Sequence, residues 1–140
     1  MGIKVFVDAN VIIDLFDSAR EHHEISTRAI EFLVKQGAEL YTTCDLITTV
    51  YYVLAKRDKE KALRAIEKSM ELFKLIEFSN DEVLEALKLI REKGFKDLED
   101  TLQYLLAKKS GCEFILTRDA KFVSPDLRLV FPETVIADNI

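Results

Sequence analysis

Ile3-Lys4-Val5-Phe6-Val7-Asp8 decides the fold. Its first five residues are mostly apolar and β-branched with little alternation, the mark of a short strand buried on both faces, and the run ends abruptly on a carboxylate. The construction recurs near the other end, where Glu113-Phe114-Ile115-Leu116-Thr117 leads to Asp119. Between the two, Glu39 to Thr42 and Leu75 to Phe78 read as further short strands, and a fifth is expected near Leu127 to Val130 or Thr134 to Ile136.

Helical segments separate these strands. Asn10 is expected to cap a short helix over Val11 to Phe16, and a second helix is read from Glu21 to Gln36, with Ile25, Ala29, Phe32 and Leu33 on one face. A third starts at Thr43 or Asp45 and runs through Ala55, and a fourth covers Asp58 to Phe73. Ser79 and Glu82 have capping-box spacing for a fifth helix ending at Gly94, and a sixth spans Leu98 to Ser110 before Gly111. Strands alternating with helices imply parallel crossovers, hence an α/β fold: a three-layer α/β/α sandwich around a mostly parallel sheet of four or five short strands. The cleft of such a sheet lies outside the carboxyl ends of its strands, where Asp8 and Asp119 fall.

The 140 residues suit one domain spanning 1–140, and roughly 68–70% of the unfolded surface of a chain this size is buried on folding. With 49% apolar and 32% charged residues, four Gly and two Pro, the composition is that of an ordinary globular protein. No charged leader precedes the first strand and nowhere do about 18 apolar residues run together, so a cytoplasmic protein without a membrane segment is expected. Cys44 and Cys112 fall at opposite edges of a parallel sheet and are read as unpaired, buried or half-buried thiols. A net charge of −5 argues against holding nucleic acid through a broad basic surface, although acidic metal ligands contribute to that total.

Asp8, Asp100 and Asp119 are the candidate chemistry. Two unit charges about 4 Å apart repel by roughly 4 kcal/mol at an effective dielectric of 20, so converging carboxylates call for a cation, and Mg²⁺ or Mn²⁺ is the natural one. Each acid also has a plain structural role open to it. Asp8 suits a helix N-cap, Asp119 a turn, and Asp97 and Asp100 the positive end of a helix dipole. His22 and His23, adjacent and about 100° apart on a helix, read as surface or loop residues. Tyr51, Tyr52 and Tyr104 have the spacing of core or interface residues, with stacking on bases as the other reading. Lys56, Arg57, Lys59, Lys61 and Arg64 read as a solvated face interleaved with Asp58 and Glu60.

Three segments together resemble the PIN-domain family of VapC-type ribonuclease toxins: Val7-Asp8-Ala9-Asn10-Val11-Ile12-Ile13-Asp14, Lys96-Asp97-Leu98-Glu99-Asp100-Thr101-Leu102-Gln103, and Ile115-Leu116-Thr117-Arg118-Asp119-Ala120-Lys121-Phe122. By that resemblance Asp8, Asp100 and Asp119 are metal ligands and catalytic residues, Asp97 is an accessory acid, and Asn10 and Thr117 are supporting polar positions. The resemblance further implies hydrolysis of single-stranded RNA by a metal-activated water, a small antitoxin protein as partner, and a homodimer. Arg118 and Lys96, each beside one of these acids, are the candidate contacts to the RNA backbone.

One position departs from the pattern. Where such nucleases place a glutamate, in the helix after the second strand, this chain has Thr49; its hydroxyl can hold a water but supplies no charge, and Asp45 lies one turn earlier. That substitution motivates a competing reading, a degenerate scaffold that binds RNA or a protein without cutting. A haloacid-dehalogenase-like phosphatase would need an acid at position 10, occupied by Asn10, and a phospho-receiver would need an acceptor aspartate where Leu75 to Ser79 has none.

Overall fold

The computed structural model describes residues 2–138. In chain order the elements are β1 (Lys4–Val7), α1 (Ala9–Phe16), α2 (His23–Lys35), β2 (Glu39–Thr43), α3 (Cys44–Ala55), α4 (Lys59–Leu72), β3 (Lys74–Ile76), α5 (Asn80–Lys93), α6 (Leu98–Lys109), β4 (Phe114–Leu116), β5 (Arg128–Val130) and α7 (Pro132–Asp138). The five strands form one fully parallel sheet in the order β3-β2-β1-β4-β5. Of the two places considered for a fifth strand, Leu127 to Val130 is the strand and Thr134 to Ile136 lies in α7.

β1 is central, and its apolar run has the burial such a position demands: Val5, Phe6 and Val7 have no exposed surface, nor do Phe114, Ile115 and Leu116 on neighbouring β4. Sequestering a side chain such as Phe6 contributes about 1.5–3 kcal/mol. Because chain order runs outward from β1 to β3 and then returns to β4, right-handed crossovers place α5 and α6 on the opposite face from the helices that follow β1 and β2. Ala86, Leu102 and Leu106 join α5 to α6 in a small apolar cluster of their own.

Local signals end these helices where the sequence asks. The Ser79 and Glu82 capping box is present, and Gly94 closes α5 in the left-handed conformation (φ 79°), which a Cβ would disfavour. Asn10 differs from expectation. It is an exposed residue inside α1, and the N-cap is Asp8, whose extended backbone (φ −72°, ψ 153°) lets its own carboxylate take the first amide. Cys44 also differs. It opens α3 and is exposed, whereas Cys112 is buried, and burial pushes its thiol up to about 12; both are free thiols. Among the described residues no helix is long and apolar enough to cross a membrane.

Candidate metal and active site

The register of the two central strands brings the first pair of site residues together. Val7 pairs with Leu116, so Asp8 and Thr117 are the next residues on each strand and their side chains leave on the same side of the sheet. The Asp8 amide continues the ladder to the Leu116 carbonyl at 3.0 Å, and the Thr117 amide does the same to Val130. This is the topological switch point, where neighbouring crossovers diverge and leave an open crevice.

Asp8 is only 6% exposed, so its charge must be met from within. One oxygen accepts the Ala9 amide at 2.7 Å and the other accepts the Thr117 hydroxyl at 2.8 Å. Burial raises its pKa from the ordinary carboxylate value, those two hydrogen bonds oppose the rise, and the charge of Asp119 adds to it. Thr117 Oγ1 also accepts the Asp119 amide at 3.0 Å, so one hydroxyl bridges the two acids. Asp119 in turn accepts the Lys121 amide at 2.9 Å, which makes it a turn former as well as a cleft residue.

The remaining acids come from the start of α6. Asp97 is its N-cap and accepts the Asp100 amide at 2.8 Å, which holds the first turn in place. Asp100 accepts no hydrogen bond among the described residues, and its carboxyl is pushed up to about 7, first by burial and then by the charges of Asp97, Asp8, Asp119 and Glu99. Glu99, exposed as a residue, has its carboxyl raised by partial desolvation and by Asp45, Asp8 and Asp97. Six acids from four separate stretches of chain therefore share one electrostatic field.

That field is short of positive charge. Among the described residues no three acid, histidine or cysteine side chains are closed to metal-ligand spacing, so the carboxylates are gathered but not drawn into a coordination shell. The donor set is all oxygen, which suits a hard cation such as Mg²⁺ or Mn²⁺. Gln103, 2% exposed, keeps a buried carbonyl oxygen without a partner, as does the buried hydroxyl of Thr43 at the end of β2. Unpartnered buried oxygens beside mutually repelling acids fit a cation and its water shell.

Other expected site residues are placed differently. Lys96 is exposed beside Asp97 and makes no ion pair among the described residues. Arg118 does not face substrate freely: its side chain is 14% exposed, with Nε on Asp14 at 3.2 Å and Nη1 on Glu133 at 3.1 Å. Two carboxylates outcompete solvent for its guanidinium. Thr49 is half-buried on α3, one turn beyond half-buried Asp45. His23 opens α2 with Nδ1 2.7 Å from the Asp14 carbonyl, so it is part-buried and engaged, not a loop residue. Tyr104 is a core residue, its ring against Phe95 and its hydroxyl donating to Asp126 at 2.5 Å, whereas Tyr52 stands 69% exposed.

Glu99 and Gln103 were not singled out from sequence. Glu99 sits among helix-start acids that the dipole already explains. Gln103 carried a readable signal: it is polar within the apolar stripe of Leu102, Leu105 and Leu106, three residues after Asp100 and so on its face.

Comparison with known proteins gives a consistent picture. A model of the PIN domain family matches residues 5–126. The chain is 51% identical over 131 residues to Ribonuclease VapC1 of Aquifex aeolicus, covering 93% of this chain and 91% of that one. Among solved structures it resembles VapC20 of Mycobacterium tuberculosis, described as a sarcin-ricin loop cleaving toxin, with a TM-score of 0.70, 16% identity, and coverage of 84% of this chain and 92% of that one. It also resembles a toxin-antitoxin complex from Klebsiella pneumoniae with a TM-score of 0.68, 21% identity, and coverage of 91% and 97%.

Proposed function

Because the chain belongs to the PIN domain family, we propose that it is a VapC-type toxin ribonuclease, cutting phosphodiester bonds of single-stranded RNA with Mg²⁺ or Mn²⁺ held by Asp8, Asp100 and Asp119. The observation that carries the metal reading is the bridging of Asp8 and Asp119 by the Thr117 hydroxyl at the carboxyl end of β1 and β4, with Asp100 brought near enough that their like charges raise its carboxyl. Acids gathered in that way, in an open crevice at a switch point, support a site that takes a divalent cation.

The chemistry a divalent cation supplies is acidification of a water and neutralisation of charge on the phosphate. This chain's residues prepare for it. Thr117 fixes the rotamer of Asp8, Asp97 fixes the first turn carrying Asp100, and Gln103 and Thr43 present oxygens able to order water. Lys96 places an exposed cation at the rim, where an RNA phosphate passing Asp97 would meet it. Asn10, exposed as the second residue of α1, is assigned to this site as a supporting neutral hydrogen-bonding group.

A small antitoxin protein is the proposed protein partner, on the ground that one structural neighbour is a toxin-antitoxin complex. An antitoxin offering a basic side chain would meet the unbalanced acids directly. A homodimer and a cytoplasmic location belong to the same proposal.

The test is cleavage of end-labelled single-stranded RNA with Mn²⁺ or Mg²⁺, beside Asp8→Asn and Asp119→Asn. Metal-dependent cutting lost in both variants supports the nuclease. RNA binding without cutting by the parent supports instead the scaffold reading that Thr49 motivates.

A further inference from the structure

A second charge cluster lies next to the acidic cleft and is not accounted for by metal binding. Asp14, 1% exposed and in the last turn of α1, receives Arg20 Nε on one oxygen at 2.7 Å. Its other oxygen receives the Ser26 hydroxyl at 3.0 Å and Arg118 Nε at 3.2 Å. Arg118 extends to Glu133 on α7 and buries Nη2 without a hydrogen-bond partner. A buried ion pair of this kind is weak evidence for stability, since well-packed apolar residues often serve the fold as well. Its value has to be sought in geometry.

The geometry is a closed ring. α1 is capped by Asp8 and carries Asp14 about 9 Å further along its axis, given a 1.5 Å rise per residue. Asp14 holds Arg118, whose two chain neighbours are Thr117 and Asp119, and Thr117 returns to Asp8. The connection between β4 and β5 contains no helix or strand, and Asp119 lies in it at a turn, its carbonyl accepting the Phe122 amide at 3.2 Å. The Thr117 hydroxyl fixes that connection at one point and Arg118 at a second, and two points set its direction.

We infer that Asp14 and Arg118 are positioning residues that fix the carboxylate of Asp119 relative to Asp8 and so set the affinity of the site for a divalent cation. This rests on the proposed metal reading. The pair acts through the backbone of the β4–β5 connection and touches neither cation nor RNA. Glu133 and Arg20 complete the charge balance, so the anchor lies outside the acidic field that the cation would neutralise.

The experiment is calorimetric titration of Mn²⁺ into the full chain, the double variant Asp14→Asn/Arg118→Met, and Arg118→Lys, with amide hydrogen exchange at 117–119 followed in the absence of metal. Removing both charges together leaves no ion unpaired in the interior. Arg118→Lys keeps the charge, and with it the fold, but loses the fork that spans Asp14 and Glu133. Mn²⁺ affinity is expected to weaken about 10-fold or more in the double variant and by a smaller factor in Arg118→Lys, the range of loss seen when a ligand's supporting partner is removed. Exchange at 117–119 is expected to quicken in both. Affinity within about twofold of the parent in a folded variant overturns the inference; if the double variant does not fold, Arg118→Lys decides. A parent that binds no Mn²⁺ sinks the metal reading itself, whereas a binding parent with indifferent variants sinks the positioning role alone.

Discussion

Thr117 donates its hydroxyl to Asp8 at 2.8 Å across 109 positions of sequence, and the same oxygen accepts the amide of Asp119. One side chain thereby couples the end of the first strand to the turn after the fourth. Thr117→Val keeps the shape and removes both bonds. A buried carboxylate oxygen left without its donor costs about 1–3 kcal/mol, so this variant is expected to lose that much stability in urea unfolding at neutral pH, with Thr117→Ser restoring most of it. Equal midpoints for Val and parent would show that the bond contributes nothing.

Removal of metal should make stability depend on pH in an unusual direction. Asp100 is pushed up to about 7 in the folded protein from an unfolded value of 3.8, and Asp8 and Glu99 are raised as well. Between these limits the folded state binds more protons than the unfolded one, so stability falls as pH rises. The contribution is complete below the unfolded value and gone above about 7. In EDTA the Tm is expected to drop across that window. Millimolar Mn²⁺ binds only the folded, ionised cluster, so the gap between the Mn²⁺ and EDTA melting curves should widen with pH. Coincident curves at pH 8 would remove the case for a cation site.

Asp100→Asn separates stability from function. The amide removes the charge that burial and four acidic neighbours oppose, so above neutral pH the variant is expected to melt higher than the parent in EDTA. It should also lose most of the rise in Tm on adding Mn²⁺. A variant that still gains the parent's full Mn²⁺ shift would show that Asp100 is no ligand.

Thr49→Glu supplies the acid that the family resemblance places at this position. Its half-buried site on α3, a turn beyond Asp45, would bring a further carboxylate toward the field already felt by Glu99. Lower Tm in EDTA and tighter Mn²⁺ binding, or a higher Mn²⁺ stoichiometry, are the expected results by calorimetry. Unchanged affinity and stoichiometry would place position 49 outside the site.

Glu113 to Leu116 and Ile3 to Val7 were legible as buried strands because continuous apolar runs of that length have few other uses, and capping residues such as Ser79 and Gly94 announce helix ends from local chemistry alone. Asp8 and Asp119 were legible as cleft acids because the carboxyl ends of parallel strands define a cleft in any such sheet, whereas Asp100, at the start of α6, joined them through the family resemblance. Asn10 and Asp8 both suit the cap of α1 by residue type, and spacing alone does not choose between them; the structure gives the cap to Asp8.

The amino-acid order by itself determined the alternation of strand and helix and the parallel sheet, with Asp8 and Asp119 at its carboxyl end, since these follow from periodicity, caps and the handedness of crossovers. Tertiary structure alone decided that Arg118 pairs with Asp14, 104 positions away, that Gln103 keeps a buried oxygen without a partner, and that the Asp100 carboxyl is pushed up to about 7. Local pattern records which face of an element is buried. Which charged groups meet there depends on how distant elements pack, and a pKa depends on that full set of neighbours.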